Sequence, residues 1–369
     1  MQLSDHSIRS LPRPIPVGGH DAYDAEREAC LDLDLRKREN YEKYLLSISN
    51  RQTVVEHLPV KLDIENVSRC NFRCQMCQVS EWEKGQRAED MKFEDFENLI
   101  EEQYGVVELK IQGMGEPTMG RDVYYRMIRH AREQRIWVRT VTNASLLHFN
   151  DNYRKLIDSG VNELQISVDG ATKEVFEGIR HQSIFEKVIE NCVLINTYCE
   201  KQDVERTKMW VVVQKANEHQ LEELVSLAQV MKFKSMVFSL DIGDWGQENW
   251  RQKNGECGVI GGINAEYGEK LIALGESLGV RVYFWFINSK YSSISAESVC
   301  PWPFERAFVS SDMRIVPCCM IANPEVIDLG SALDFTNSWN GEQYQKFRSR
   351  HLRGDLPKAC VSCYKMESN

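Results

Sequence analysis

Between Leu62 and about Phe286, short runs of alternating apolar and polar residues give way repeatedly to segments with an apolar residue every third or fourth position. The runs predict strands at Leu62–Val67, Val106–Gln112, Trp137–Thr142, Glu163–Val168, Met209–Val213 and Ser235–Leu240. The segments between them predict helices at Phe93–Gln103, Asp122–Gln134, Asn152–Ser159, Phe185–Tyr198 and Glu218–Met231. A last pair follows, a helix at Ala265–Leu278 and a strand at Val280–Phe286. Strand–helix alternation means parallel strands joined by right-handed crossovers. The expected fold class is therefore α/β, an open, partial (β/α)6 barrel with its chemistry at the carboxyl ends of the strands.

The flanks read differently. Residues 1–60 open on a Pro-rich stretch and continue as one helical segment, Asp21–Ser47, expected to be a helical extension packed on the core. Residues 241–264 are Gly-rich, carry two Trp residues and predict neither helix nor strand. A loop of that length inside a compact domain reads as a lid or binding loop, with a surface insertion as the alternative. The expected domains are 1–60, 61–287 and a C-terminal section 288–369.

Charge and cysteine content narrow the class. A net charge of −10 and a pI near 5.5 argue against a nucleic-acid footprint. The first thirty residues hold no apolar run fit for a signal peptide, and no stretch reaches membrane-spanning length, so a cytoplasmic protein off the membrane is expected. Twelve cysteines in such a chain are not expected to form disulfides. They cluster instead in two places, which favours metal.

The first cluster is Cys70-Asn-Phe-Arg-Cys74-Gln-Met-Cys77, directly after a predicted strand. Soft thiolates suit iron–sulfur clusters, zinc or Cu(I). A tetrahedral zinc site normally takes four protein ligands, whereas a cubane on three cysteines leaves one iron open. A zinc knuckle or three unrelated buried thiols is the competing reading. The second cluster is in the tail: Cys300, the pair Cys318-Cys319, and Cys360-x2-Cys363. Four of these thiolates suffice for a closed iron–sulfur site, with structural zinc as the alternative. The spacing does not choose between Cys318 and Cys319.

Polar residues gather at the predicted strand ends: Gly113-Met-Gly-Glu-Pro117, Thr142-Asn143, Ser167-Val-Asp169-Gly170 and Gln214-Lys-Ala-Asn217. Glycines let a ligand approach the backbone, a carboxylate can bind an ammonium group, and Ser, Asn and Asp can bond ribose hydroxyls.

With these motifs in this order, the chain resembles the radical S-adenosylmethionine (SAM) superfamily, and its tail resembles the SPASM/twitch subclass with one auxiliary cluster. The resemblance covers about Leu62–Cys363. The family's Gly-Gly-Glu motif is interrupted here by Met114, and five tail cysteines stand where the full SPASM pattern has seven. The resemblance implies two [4Fe–4S] clusters. One lies on Cys70, Cys74 and Cys77 and is chelated by SAM; an auxiliary one lies on Cys300, Cys318, Cys360 and Cys363. It also implies an electron from a flavodoxin or ferredoxin-type reductant, cleavage of SAM to methionine and a 5′-deoxyadenosyl radical, and abstraction of a substrate hydrogen atom. It places Gly113, Gly115 and Glu116 toward the SAM amino group, and Asn143, Ser167 and Asp169 toward the ribose. Arg180 would face the carboxylate, Met76 the adenine, with Gln214 and Asn217 nearby.

The leading expectation is an oxidoreductase that dehydrogenates a sugar-like or aminocyclitol-like small polar metabolite, by analogy with that branch of the subclass. The alternatives are a peptide-modifying enzyme of the same superfamily, forming a thioether, a C–C crosslink or an epimer, and a non-catalytic electron-transfer or zinc-structured protein. Cys257, inside the Gly-rich stretch, is the candidate hydrogen-atom donor if the reaction ends in epimerisation rather than the favoured two-electron oxidation. Cys192 and Cys199, seven residues apart on one helix, read as core.

Overall fold

A computed structural model describes residues 10–259, 263–286 and 290–365. Residues 260–262 of the Gly-rich stretch and 287–289, where the sequence places the start of the tail, lie outside the described residues.

The strands are β1 (Lys61–Ile64), β2 (Glu108–Ile111), β3 (Trp137–Thr142), β4 (Glu163–Ser167), β5 (Thr207–Val212), β6 (Ser235–Ser239), β7 (Arg281–Trp285), β8 (Arg306–Val309) and β9 (Ile315–Val316). They form one sheet in the order β9-β8-β1-β2-β3-β4-β5-β6-β7. Every neighbouring pair is parallel except β8/β9. The strands expected from the sequence are present in the expected order, slightly shorter. The tail is not a separate layer: β8 pairs with β1 and extends the same sheet.

Alternation explains the barrel. Leu62, Ile64, Leu109, Leu164, Met209 and Met236 point outward and are fully buried against the helices. Each such side chain contributes roughly 1.5–3 kcal/mol by leaving water. The helices answer with matching stripes; α3 (Phe93–Glu102) buries Phe93, Phe96, Leu99 and Ile100. The inward positions are polar, with Asp63, Glu108, Lys110, Arg139, Glu163, Gln165 and Lys208 facing the lumen side.

The N-terminal section corrects the sequence reading. Instead of one helix over Asp21–Ser47 there are two, α1 (Gly19–Leu31) and α2 (Leu35–Ser47). Asp34 is extended and its side chain accepts from the Arg36 amide at 2.9 Å, so it caps a new helix rather than continuing the old one. Residues 12–23 cover the amino ends of the strands. Lys208 Nζ donates to Ile15 O at 2.6 Å, Val17 N to Glu163 Oε2 at 3.0 Å, and Tyr23 OH to Glu108 Oε2 at 2.8 Å.

The stretch 241–264 also departs from expectation, because Glu248–Cys257 is a helix. Only Trp250 and Asn254 are buried on it, so it has no apolar repeat from which to read it. Among the described residues no helix is long and apolar enough to cross a membrane.

Candidate metal centre and cofactor site

The three-cysteine loop leaves β1 and is fixed at both flanks. Arg73–Cys74 forms a two-residue antiparallel ladder with Arg180–His181, placing Arg180 opposite Cys74. Gln75 N donates to Ile179 O at 3.0 Å. On the other side Asn71 Oδ1 accepts from Asn143 Nδ2 at 3.1 Å, and Asn143 Nδ2 lies 3.9 Å from Cys70 Sγ. The predicted strand-end residues therefore do converge on the loop.

Several do so as struts. Glu116 is buried, and its carboxylate accepts from Thr118 N and Oγ1, from Thr142 Oγ1 at 2.6 Å and from Asn143 N at 2.7 Å. It ties the end of β2 to the end of β3, with both oxygens engaged by the chain itself. The glycines of this motif are needed for the same internal reason. A Cβ on Gly113 would overlap the Glu65 side chain, and one on Gly115 the backbone of Val67 and Arg69. The sequence reading assigned them to ligand approach; the structure fills that space with protein. Asn217 is likewise internal, donating to Asp169 O at 2.8 Å and Val212 O at 2.9 Å.

Asp169 and Arg180 are an ion pair, Oδ2 to Nη2 2.7 Å, with Asp169 Oδ1 accepting from Val212 N at 2.7 Å. Asp169 was expected at the ribose; here it is fully buried and faces Arg180. Burial raises its carboxyl pKa, against the pull of the guanidinium. Arg180 Nη1 reaches 3.9 Å from Cys74 Sγ, and Arg180 Nε has no hydrogen-bond partner. Gln214 is fully buried and accepts from Gln75 Nε2 at 2.7 Å, while its own Nε2 also lacks a partner. Ser167 ends β4 partly exposed. Two orphaned buried donors beside a three-thiol loop are costly, about 1–3 kcal/mol each. They suit a ligand rich in acceptors, such as the carboxylate end of SAM.

The thiols suit a cluster. Burial, followed by Glu116 and Cys74, raises the Cys70 pKa; burial, followed by Cys74, pushes Cys77 up to about 12. Cys74 is also raised, with Arg180 opposing. Thiols held this high ligate only as thiolates, so metal loading must release protons. Among the described residues no three His, Cys, Asp or Glu side chains converge tightly enough to grip one ion. The three thiols raise one another's pKa, so they stand near one another in the loop.

In the tail, burial raises the Cys318 pKa, helped by the charges of Cys319, Cys360, Cys363 and Cys300. Cys360 responds to Cys300 and Cys363 in the same way. Cys319, raised to about 11 by burial, faces Asp63, Lys110 and Arg306 in the barrel instead. These mutual influences group Cys318 with Cys300, Cys360 and Cys363 and turn Cys319 toward the barrel. Cys318→Ala is expected to lose about four irons per chain from the reconstituted protein and Cys319→Ala none, on the arithmetic of a four-iron cluster. Iron and sulfide assays on the two variants decide it, and equal loss would reject the assignment.

Sequence reasoning missed what joins the two thiol groups. Gln78, next to Cys77, donates to Ile321 O at 3.2 Å and accepts from Asn323 Nδ2 at 3.0 Å and Gln247 Nε2 at 3.1 Å. Val79, Met114, Phe308, Val316, Ile321 and Ala322 form a small apolar cluster on which Cys70, Cys77, Cys318 and Cys319 pack. The stretch after β6 docks on the loop: Met76 is buried, and its carbonyl accepts from Trp245 Nε1 at 2.9 Å and Asn254 Nδ2 at 3.1 Å. A Gln beside a Cys carries no sequence signal of such a role. Cys257 ends this helix half-buried, and its carbonyl accepts from Lys215 N at 3.0 Å. Cys30, Cys192 and Cys199 are buried away from both groups, as the helical spacing of the last two implied.

Comparison with known proteins agrees with this arrangement. Residues 66–228 match the radical SAM superfamily, and residues 300–364 match the iron–sulfur cluster-binding SPASM domain. A GTP 3′,8-cyclase of Aliarcobacter butzleri is 31% identical over 140 residues, 35% of this chain and 42% of that protein. A PqqA peptide cyclase of Rhodopseudomonas palustris is 26% identical over 125 residues, 33% of this chain and 32% of that protein. The chain spans about half the length, or less, of these curated relatives. The crystal structure of Streptococcus suis SuiB is similar in fold, with a TM-score of 0.60 at 18% identity, covering 84% of this chain and 72% of that one.

Proposed function

We propose, for a chain that belongs to the radical SAM superfamily and carries a C-terminal SPASM domain, that it is a peptide-modifying radical SAM enzyme. Its radical SAM domain implies SAM and a [4Fe–4S] cluster, and its SPASM domain implies further iron–sulfur. Cys70, Cys74 and Cys77 would hold the first, and Cys300, Cys318, Cys360 and Cys363 a single auxiliary one. Bound together, cluster and SAM supply a 5′-deoxyadenosyl radical able to take a hydrogen atom from an unactivated carbon. The chain's own residues do the rest. Arg180 and Gln214 offer unpartnered donors beside the loop, while Glu116 and Asn143 brace it. The stretch carrying Trp245 and Asn254 lies over Met76 and limits water.

The observation that carries the cofactor reading is the conjunction of the three-thiol loop with the orphaned Arg180 Nε. The peptide reading rests on a relative whose name records a peptide substrate, the PqqA peptide cyclase. It displaces dehydrogenation of an aminocyclitol-like metabolite, the leading expectation from the sequence. A second reading, a small-molecule substrate, keeps support from the GTP 3′,8-cyclase relatives.

Turnover in deuterium oxide with short peptides encoded beside the gene tests the proposal. A cross-linked or oxidised product two mass units lighter, with activity kept in Cys257→Ala, is the expected result. A product of unchanged composition carrying one solvent deuterium, lost in Cys257→Ala, would show that a thiol returns the hydrogen. Turnover of small polar metabolites with every peptide inert would overturn the peptide reading.

A further inference from the structure

Among the described residues, one cation on the inward face of the barrel has no carboxylate in contact with it. On the inward positions of β1 to β8, each other cation has a carboxylate partner: Lys61 with Glu305, Arg139 with Glu108, Lys208 with Glu163, Arg281 with Glu205, and Arg306 with Asp63. Lys110 is the exception. It follows Glu108 on the same face of β2, in register with Asp63 on one side and Arg139 on the other. Among the described residues no carboxylate oxygen lies within 4.0 Å of its Nζ and no hydrogen bond satisfies it. Packing lowers its pKa, opposed by Cys319 and Asp63 and helped by Arg139 and Arg306. A half-buried ammonium without a carboxylate partner is open to an anionic ligand.

Inward positions on the neighbouring strands keep some exposure, as Lys110 itself does. Lys110, Ser167, Trp210, Val212 and Trp285 keep partial exposure, whereas their outward neighbours Leu109, Ile111, Ile166, Met209, Val211 and Phe284 have none. Below this level ion pairs and residues 12–23 pack against the amino ends of the strands, beside a cavity of about 270 Å³ lined by Ile15, Val17, Lys208 and Arg281. Trp210 and Trp285 stand 6.4 Å apart, centroid to centroid, on the far wall. Cys319 lies near Lys110 from the side of the tail, so this space adjoins the second thiol group.

We propose that the Lys110 ammonium anchors an anionic group of the substrate, with Trp210 and Trp285 bounding the same chamber. The group is a carboxylate under the peptide reading, as on an acidic side chain. The proposal rests on that reading only in taking the lumen as the substrate site. A single charge-assisted contact of this kind is the sort that fixes which carbon faces the SAM end of the barrel.

Isothermal titration of the anaerobically reconstituted holoprotein, with SAM present, tests it. The probes are N-acetyl-glutamate methylamide, its glutamine analogue and inorganic phosphate. The glutamate probe should bind saturably and the glutamine probe should not. Lys110→Met should weaken binding about tenfold or more, and Lys110→Arg should largely retain it. Phosphate binding in place of the glutamate probe, lost in Lys110→Met, would support the anion site and identify a phosphorylated substrate. Equal binding to Lys110→Met and wild type, or of the glutamine probe, would overturn the proposal. So would a wild type that binds SAM but neither anion. Failure of the wild type to bind SAM would overturn the cofactor reading beneath it instead.

Discussion

Replacing Cys70, Cys74 and Cys77 together by alanine is expected to remove about half of the reconstituted iron and all SAM cleavage, on the arithmetic of two four-iron clusters. The tail should keep its share, because Cys300, Cys318, Cys360 and Cys363 come from separate segments and influence one another rather than the loop. Their supports are separate too: Cys300 N donates to the Tyr364 hydroxyl at 2.8 Å, and that hydroxyl lies 2.7 Å from His351 Nδ1. The fold should also survive, since the loop is pinned by the Arg73–Cys74 ladder and by Asn143, not by the thiols alone. Iron and sulfide analysis beside a 5′-deoxyadenosine assay checks this. Reductive SAM cleavage by the triple variant would reject the role given to the loop.

Arg180→Ala is expected to do two separable things. It leaves Asp169 buried without its partner, which costs roughly 3–5 kcal/mol for a broken buried pair. It also removes the donor proposed for the SAM carboxylate, worth roughly 1.5–3 kcal/mol, or about ten- to a hundredfold in affinity. A second substitution separates them. Adding Asp169→Asn removes the stranded charge, so the double variant should regain thermal stability while SAM affinity stays low. Melting curves and SAM titration on both variants provide the check. Recovery of SAM affinity together with stability would mean that Arg180 acts only by holding Asp169 and the neighbouring ladder.

The sheet was legible because its outward face is a strict two-residue repeat of fully buried aliphatics, as at Leu62 and Ile64 or Leu164 and Ile166. The two groupings of cysteines stood out by spacing, which left Cys318 and Cys319 undivided. The roles of the polar strand ends were not. Glu116 and Asp169 occupy the expected places, but whether a carboxylate faces a ligand or a threonine is decided by partners far apart in sequence, such as Thr142 and Arg180. Joining of the tail to the main sheet was hidden for the same reason: β8 is four residues long and pairs with a strand some 240 positions earlier, Lys61 with Arg306. The helix Glu248–Cys257 escaped because its only buried anchors are a Trp and an Asn. Lys110 gave no signal because a lysine on a strand ordinarily means a solvated face; its place between Asp63 and Arg139 on the inward face is what sets it apart.

The central claim is that the Cys70–Cys77 loop carries a cluster at which SAM is cleaved. Its most direct test is to reconstitute the wild-type chain with iron and sulfide under anaerobic conditions, reduce it and incubate it with SAM. The account predicts about eight irons per chain, from two four-iron clusters, and equimolar 5′-deoxyadenosine and methionine. A protein that takes up zinc with only trace iron, or that carries its full iron and leaves SAM intact after reduction, would contradict it.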